Sequence, residues 1–435
     1  MNKSHLGDTI FAVSTGFSVA AISVIRISGP NSAAAVLALT GWNGRDRLSV
    51  QWILDPDTGD AIDHGVVLWF AGPSSATGED IAELQVHGST AVRTRLLACL
   101  ARLPGLRAAE PGEFTRRAIV NQRLDLSQAE GLADLLSAET AEQHRRALEQ
   151  LGGGVARLVD GWRGRLVDAL ALLETEIDFA DEELPEQRDA AGHILDELVR
   201  DLDRNLQGAA HAERLRDGFE VAIVGVPNAG KSTLLNALAR RDVALTSPEA
   251  GTTRDILEVR MDLQGIAVTF LDMAGIRATA TGIEAAGIER ARDRATAADL
   301  RVFLLSDPAD VAELGVSPME GDILVTGKAD LLEKASGLAV SGLTGAGLPD
   351  LLDQVHLRLR DRVTASGAIA GARQRAAVAA AMEAMSMARQ ILEEGDAEVV
   401  AEELRVALTH LDRLTGRTEA ESVLDAVFSR FCIGK

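Results

Sequence analysis

The sequence predicts a multidomain chain: an α+β N-terminal domain, an all-α helical domain, and an α/β domain inserted into the helical one. Three observations carry this. Gly225-Val226-Pro227-Asn228-Ala229-Gly230-Lys231-Ser232 reads G-x-x-x-x-G-K-[ST], between the apolar, β-branched run Phe219–Val224 and the helix-spaced segment Ser232–Arg240. Residues 1–120 mix short alternating runs with turn signals. Residues 121–216 and 365–435 carry apolar positions at i, i+3 and i+4 with charges between them. The matching helical character on both sides makes residues 217–364 an insertion.

The elements follow in order. Thr9–Ser14 and Ala20–Ile27 read as strands, and Ser28-Gly29-Pro30 turns the chain into a helix over Ser32–Leu39 with Asn31 as its N-cap. Gln51–Leu54 and Gly65–Phe70 flank a turn-rich segment and suggest a hairpin; Ile81–Val86 alternates as a strand, and Thr90–Leu103 is a helix stopped by Pro104-Gly105. Leu132, Leu135 and Leu136 mark the apolar face of a helical stretch that Gly152-Gly153-Gly154 interrupts, because each glycine costs about 1 kcal/mol relative to alanine. Helix resumes over Val155–Phe179, turns at Asp181–Pro185, and continues through 188–216. Strands and helices then alternate to about residue 360, as in a doubly wound sheet. The tail from 373 to 431 is helical, with a break at Glu394-Gly395-Asp396.

Composition narrows the class. The 435 residues are 46% apolar and 25% charged, as in a folded globular protein. No apolar run approaches the roughly 20 residues of a membrane span, and the N-terminal ten residues lack a signal-peptide core. A cytoplasmic location without a membrane partner is expected. Cys99 and Cys432 make no metal-ligand cluster and suit a reducing compartment. A net charge of −21 opposes wholesale binding to nucleic acid. RNA contact would need a local patch. One candidate is the set Arg93, Arg95, Arg102, Arg107, Arg116, Arg117 and Arg123; scattered surface arginines on helices are the equal alternative.

The chemistry gathers around Gly225–Thr233. A strand, a glycine turn and a helix N-terminus aim N–H groups and a helix dipole at one point, which suits phosphate. The backbone of Asn228, Ala229, Gly230 and Thr233 forms the cradle, Lys231 neutralises the β- and γ-phosphates, and Ser232 holds Mg2+. Asp272-Met273-Ala274-Gly275 ends the strand Ala267–Leu271; its aspartate can hold the Mg2+ water shell, and Gly275 lets an N–H meet the γ-phosphate. In Gly251-Thr252-Thr253-Arg254-Asp255 a threonine hydroxyl, Thr253 the better candidate, can complete the Mg2+ shell. Arg254 reads either as a finger arginine or as a salt-bridging loop residue. In Thr326-Gly327-Lys328-Ala329-Asp330, Asp330 can accept from both N1–H and the 2-amino group of guanine, which adenine cannot offer, and the Lys328 stem can pack on the base. Ser341-Gly342-Leu343 sits where a loop completes the pocket. GTP is the expected substrate.

With these motifs in hand, the chain resembles the MnmE (TrmE) family of tRNA modification GTPases, in the TrmE-Era-EngA-YihA-Septin-like superfamily. The resemblance covers essentially the full chain. Val24-Ile25-Arg26-Ile27-Ser28-Gly29, Pro111-Gly112-Glu113-Phe114-Thr115, Asn121-Gln122-Arg123-Leu124-Asp125-Leu126 and the ending Phe431-Cys432-Ile433-Gly434-Lys435 carry it beyond the GTPase motifs. It implies a folate-binding N-terminal domain through which a homodimer forms, and a Ras-like G domain. Arg26, Glu83, Arg123 and Lys435 map onto folate-contacting positions, for 5-formyl- or methylene-tetrahydrofolate; at Arg123 the family usually has lysine. It further implies a flavin-dependent, MnmG-like partner and addition of a carboxymethylaminomethyl-type group to C5 of the wobble uridine of certain tRNAs. Ile276 stands where many GTPases place a water-orienting glutamine. By the resemblance, a K+ ion serves instead, bound by the Asn228 side chain, the Ser247 and Glu249 carbonyls and Thr252, and Glu284 orients the water. Read without the family, Glu284 is a solvated helix-face carboxylate.

Three positions depart from the family pattern: Met273 for threonine, Gly327 for the asparagine of N-K-x-D, and Gly342 for the alanine of S-A-x. Gly327 matters most, since loss of a hydrogen-bonding side chain is expected to weaken guanine binding by about 1–2 kcal/mol without loss of the preference over adenine. Cys432 reads either as a nucleophile or as a buried small thiol. A regulatory GTPase switch in ribosome or RNA assembly would carry the same G motifs; the N-terminal motifs and the C-terminal ending favour the modification reading.

Overall fold

The computed structural model describes all residues except 1–6, 17, 44–46, 179–184, 242, 246–257, 273–295, 308–309, 315, 333–336, 365–366, 394, 418–433 and 435. The chain falls into two compact units, residues 1–133 with 412–435, and residues 134–411.

The first unit is built on a six-stranded sheet of β1 (Thr9–Val13), β2 (Ala20–Ser28), β3 (Leu48–Leu54), β4 (Ala61–Phe70), β5 (Ile81–Gly88) and β6 (Leu106–Ala108), in the order β3-β4-β5-β2-β1-β6. Neighbours are antiparallel except β1 and β6. Helices α1 (Ser32–Thr40) and α2 (Thr90–Arg102) cover one face, burying Ile25, Ile27, Leu84 and Val86 against Val36, Leu39, Leu96 and Leu100. Strand alternation sends the other residues to the opposite face. Helix α3 (Glu113–Val120) covers only the β1 end of that face, where Phe114 packs with Ile10 and Ala12. Edge strand β3 leaves Leu48, Val50 and Trp52 more than half exposed.

The turn at Gly29 needs glycine: φ is 128°, and a Cβ there would lie 2.8 Å from the Thr9 Cα. Asn31 occupies the N-cap position of α1 but makes no side-chain cap bond, contrary to the sequence expectation. Its backbone N–H instead donates to Thr9 Oγ1 at 2.7 Å. Strand β6 and helix α3 were not foreseen, being only three and eight residues long.

Pro111–Thr115 acquires a structural role. Gly112 takes φ 71° at the start of α3, and Glu113 receives Arg107 through both terminal nitrogens at 2.8 and 2.6 Å, Arg117 at 3.0 Å and the Glu110 N–H at 2.9 Å. Burial pushes the Glu113 carboxyl up, but the Arg107 hydrogen bonds, the Glu110 N–H and the arginine charges outweigh it and hold the group below its usual value. Arg117 is buried and donates to the Asp8 carbonyl and to Glu79. Arg93 donates to the Ser18 carbonyl, Arg95 pairs with Asp60, and Arg102 pairs with Asp55 and Asp57. Arg93 and Arg117 are thus buried in the fold, whereas Arg95, Arg102 and Arg123 are exposed, the first two paired with nearby aspartates.

The second unit holds helices and a second sheet. Helix α4 (Leu126–Ser137) spans the division; α5 (Ala141–Leu151), α6 (Gly154–Asp178) and α7 (Pro185–Asp217) follow, with the expected break at the glycine triplet, where Gly153 has φ 81°. The sheet comprises β7 (Phe219–Val224), β8 (Glu258–Leu263), β9 (Ile266–Asp272), β10 (Leu300–Leu305) and β11 (Ile323–Thr326), ordered β11-β10-β7-β9-β8. It is parallel except for edge strand β8, which the sequence reading did not separate from its surroundings. Helices α8 (Lys231–Ala239) and α9 (Leu348–Thr364) pack on the sheet; α10 (Ala372–Ile391) and all but the last turn of α11 (Ala397–Thr415) belong to the same unit. Helix α10 packs along α7, so helices from before and after the sheet share one bundle, as an insertion requires.

The start of α5 fastens the sheet to this bundle. Thr140 and Gln143 form a capping box, and Gln143 Nε2 also donates to the Arg216 carbonyl at 2.8 Å, just ahead of β7. The Glu142 N–H donates to the Gly265 carbonyl at 3.2 Å in the β8–β9 turn, and Arg260 pairs with Glu139 at 2.5 Å.

Candidate nucleotide site and polar centre

Strand β7 lies at the middle of the second sheet with β9 and β10 on either side, so its C-terminal end opens where a ligand can approach. The chain turns there through Gly225–Gly230 into α8. Asn228 and Gly230 take the left-handed conformation, φ 64° and 100°, which a phosphate-cradling loop needs to turn successive N–H groups inward. Gly225 is held by space: a Cβ would lie 2.5 Å from the Leu304 carbonyl oxygen. Ala229 is buried beneath the loop, and Asn228, Ser232 and Thr233 are exposed at its mouth. Lys231 Nζ donates to the carbonyls of Gly225 and Val226 at 2.7 and 2.9 Å, so its ammonium already lies under the loop.

Ser232 and Asp272 meet. Asp272 is the last residue of β9, paired in register with Ile223, and is only 3% exposed. Its Oδ2 accepts from Ser232 Oγ at 2.8 Å. A hydroxyl and a buried carboxylate, forty residues apart, thus share one point beside the loop.

The base-reading segments come from β11 and the stretch that runs beside it. Lys328 is left-handed at φ 55° and its side chain is exposed. Asp330 Oδ1 accepts from Ser341 Oγ at 2.5 Å, and that hydroxyl accepts from the N–H groups of Leu343 and Thr344, both at 3.2 Å. Ser341 is fully buried, so it fixes the carboxylate from within; the sequence reading placed this loop at the pocket without assigning the serine that role. The Ala329 N–H donates to the Val340 carbonyl at 3.0 Å, tying the two segments together.

Ser247, Glu249, Thr252, Thr253, Gly275 and Glu284 lie outside the described residues, as do Met273, Arg254 and Ile276.

In the first unit, Arg26 and Glu83 face each other across β2 and β5. Arg26 Nε and Nη2 both donate to Glu83 Oε1, at 2.9 and 2.7 Å, and the guanidinium lies 5.8 Å from the centre of the Phe114 ring. They sit on the face that α1 and α2 leave open. Arg123 is exposed, its stem beside Gly78. Gly434 docks at the end of β1, where its carbonyl accepts from Ser14 Oγ at 3.1 Å; Cys432 and Lys435 lie outside the described residues. The sequence assigns Phe114 no role beyond its motif; the structure sets its ring beside the Arg26 guanidinium.

A phosphate loop on a mostly parallel sheet, an oxygen pair suited to a cation on one side and a guanine-type carboxylate on the other define a P-loop guanine-nucleotide-binding protein. Comparison with known proteins goes further. Residues 9–123 match the family described as the GTP-binding protein TrmE N-terminus, and residues 126–432 match the MnmE helical domain. A tRNA modification GTPase MnmE of Cereibacter sphaeroides is 47% identical over 431 residues, covering 98% of this chain and 100% of that protein. One of the same description from Ruegeria pomeroyi is 48% identical over 432 residues, with the same coverage. The chain belongs to the MnmE (TrmE) family of tRNA modification GTPases. Among solved structures, the G domain of the T. maritima FeoB iron transporter aligns with 32% of this chain and 98% of its own, at 23% identity and a TM-score of 0.25.

Proposed function

We propose that this protein hydrolyses GTP with Mg2+ and a stimulating K+. As a cytoplasmic homodimer it acts with a flavin-dependent, MnmG-like partner to add a carboxymethylaminomethyl-type group to C5 of the wobble uridine of certain tRNAs, using a tetrahydrofolate one-carbon unit. The observation that carries the hydrolytic part is the Ser232–Asp272 contact beside the phosphate loop. A hydroxyl backed by a buried carboxylate is the hard-oxygen donor set that Mg2+ prefers, and when bound the ion neutralises phosphate charge. Lys231 holds the β- and γ-phosphates, Thr253 offers a second hydroxyl, and Glu284 orients the attacking water. Asn228, left-handed and exposed at the mouth of the loop, suits a K+ ligand with the Ser247 and Glu249 carbonyls and Thr252.

For the folate, Arg26 and Glu83 supply a fixed donor and acceptor on an open sheet face, which fits the edge of a pterin ring, with Arg123 and Lys435 as further contacts. The exposed Leu48, Val50 and Trp52 of β3 support a second copy as a covering partner. In this reading residues 1–120 bind folate and dimerise, residues 121–216 and 365–435 form the helical domain, and residues 217–364 are the G domain.

The decisive experiment is nucleoside analysis of tRNA from cells lacking the protein. Loss of the wobble-uridine modification is expected. Unchanged wobble uridines would overturn the modification reading and leave a regulatory GTPase.

A further inference from the structure

The two glycines that replace side chains in the base-reading motifs sit against the same piece of backbone. A Cβ on Gly342 would come 2.7 Å from the Leu234 nitrogen and the Thr233 carbonyl carbon, and 2.8 Å from the Thr233 oxygen. These atoms are the first turn of α8, which cannot yield without moving the phosphate loop. A Cβ on Gly327 would come 2.9 Å from the Ala229 carbonyl oxygen, inside the loop itself, and 3.2 Å from Leu304 Cδ1. Neither glycine has positive φ, so what requires them is space rather than backbone conformation.

The two segments are also tied together by hydrogen bonds. The Thr326 N–H donates to the Leu338 carbonyl at 2.9 Å, and the Val340 N–H donates to the Thr326 carbonyl at 2.8 Å. The Ala329 N–H reaches Val340, and Ser341 holds Asp330.

We propose that Gly327 and Gly342 are paired positioning residues: by omitting both side chains, the protein seats its guanine-reading carboxylate directly on the backbone of the phosphate loop and α8. The contact takes over the anchoring that an asparagine side chain would supply. A side chain at either glycine lifts both tied segments, Asp330 included, away from the phosphates. A nucleotide must bridge both halves, so the lift weakens its binding. Once one contact is opened, the second substitution finds room already made. The two effects therefore do not multiply. Restoring the family's usual residue, Gly342→Ala or Gly327→Asn, weakens binding rather than strengthening it; for Gly327 this reverses the expectation drawn from the missing asparagine side chain alone, because that expectation took no account of the close backbone contact.

The inference rests on the guanine-nucleotide reading, and titration of the full-length protein with fluorescent GDP separates the two. Gly342→Ala should lose about tenfold in affinity, as expected for overpacking a rigid contact. Gly327→Ala should lose less, because part of its contact is the flexible end of Leu304. The double variant should lose less than the product of the two. The ratio of GDP to IDP affinity should fall in Gly342→Ala, since inosine lacks the 2-amino group that Asp330 reads; a purely structural defect would leave that ratio unchanged. If Gly342→Ala does not fold, Gly327→Asn carries the test alone. Unchanged or tighter GDP binding by Gly342→Ala or by Gly327→Asn, or losses that multiply, would overturn the proposal. A parent protein that binds no guanine nucleotide would instead overturn the reading beneath it.

Discussion

At the phosphate loop, eight consecutive residues, Gly225–Ser232, make a site largely from backbone, with glycines where the chain must turn or press against a neighbour. In the first unit, Arg26 and Glu83 lie fifty-seven residues apart and meet only because β2 and β5 pair in one register. A site made of contiguous backbone survives most side-chain changes outside it. A site made by register depends on every residue that keeps the strands aligned, since a one-residue slip turns one partner to the other face. The first kind writes itself into a short motif; the second does not.

This contrast can be broken in graded steps. Lys231→Ala should lower GTP turnover on the order of 10³-fold, as for removal of a phosphate-stabilising cation. Folate binding by the same variant, measured by equilibrium dialysis, should stay within about twofold of the parent, because distant sites act independently. Arg26→Ala should do the reverse, with folate affinity falling about 10–100-fold for a lost charge-assisted bond and GTP turnover unchanged. Loss of both activities in either variant would mean the two regions are not separable. Replacing KCl by NaCl should slow GTP hydrolysis by about tenfold or more if an ion fills the role of a finger arginine; equal rates in the two salts would remove K+ from the mechanism.

The smallest effect tests the charge lock behind the register-built site. Glu113→Gln should destabilise the protein by about 1–3 kcal/mol at pH 7, because Arg107 and Arg117 lose an ionised partner. The carboxyl is held below its usual value of 4.5, so its stabilising contribution is complete above that pH and disappears as the pH falls through the lowered value. Denaturant midpoints of parent and variant should therefore converge in acid. A constant gap between pH 7 and about pH 3 would show that the charge is not what stabilises.

Much of this was legible beforehand. The strand over Phe219–Val224 is confirmed without change, and the breaks at Gly152–Gly154 and around Gly395 fall where glycine makes helix costly. Two motifs assign Ser232 and Asp272 to the same Mg2+ site, but their direct hydrogen bond is not read from them. What escaped was long-range or short in length. No local pattern says that Arg117 will be buried on Asp8 and Glu79; both readings of the arginines, an RNA patch or scattered surface residues, place it at the surface. Strand β8 alternates as Glu258-Val259-Arg260-Met261 but ends in Gln264-Gly265, a tight turn with φ 53° and 94° that lacks the usual Asn-Gly signal. Ser341 reads as part of a loop that completes the base pocket, but its hold on Asp330, eleven residues back, is not written in any local pattern.

The β8–β9 hairpin also sets a length scale. Its turn is tethered to α5 through Gly265 and its far end delivers Asp272 to Ser232. The strand between them acts as a ruler of about 20 Å, graduated at ~3.4 Å per residue. Deleting one residue from Ile266–Asp272 would both shorten it by a graduation and rotate the terminal carboxylate to the wrong side. Chain length here is thus as strictly constrained as chemical identity, although Ile266, Val268 and Phe270 themselves serve only the core.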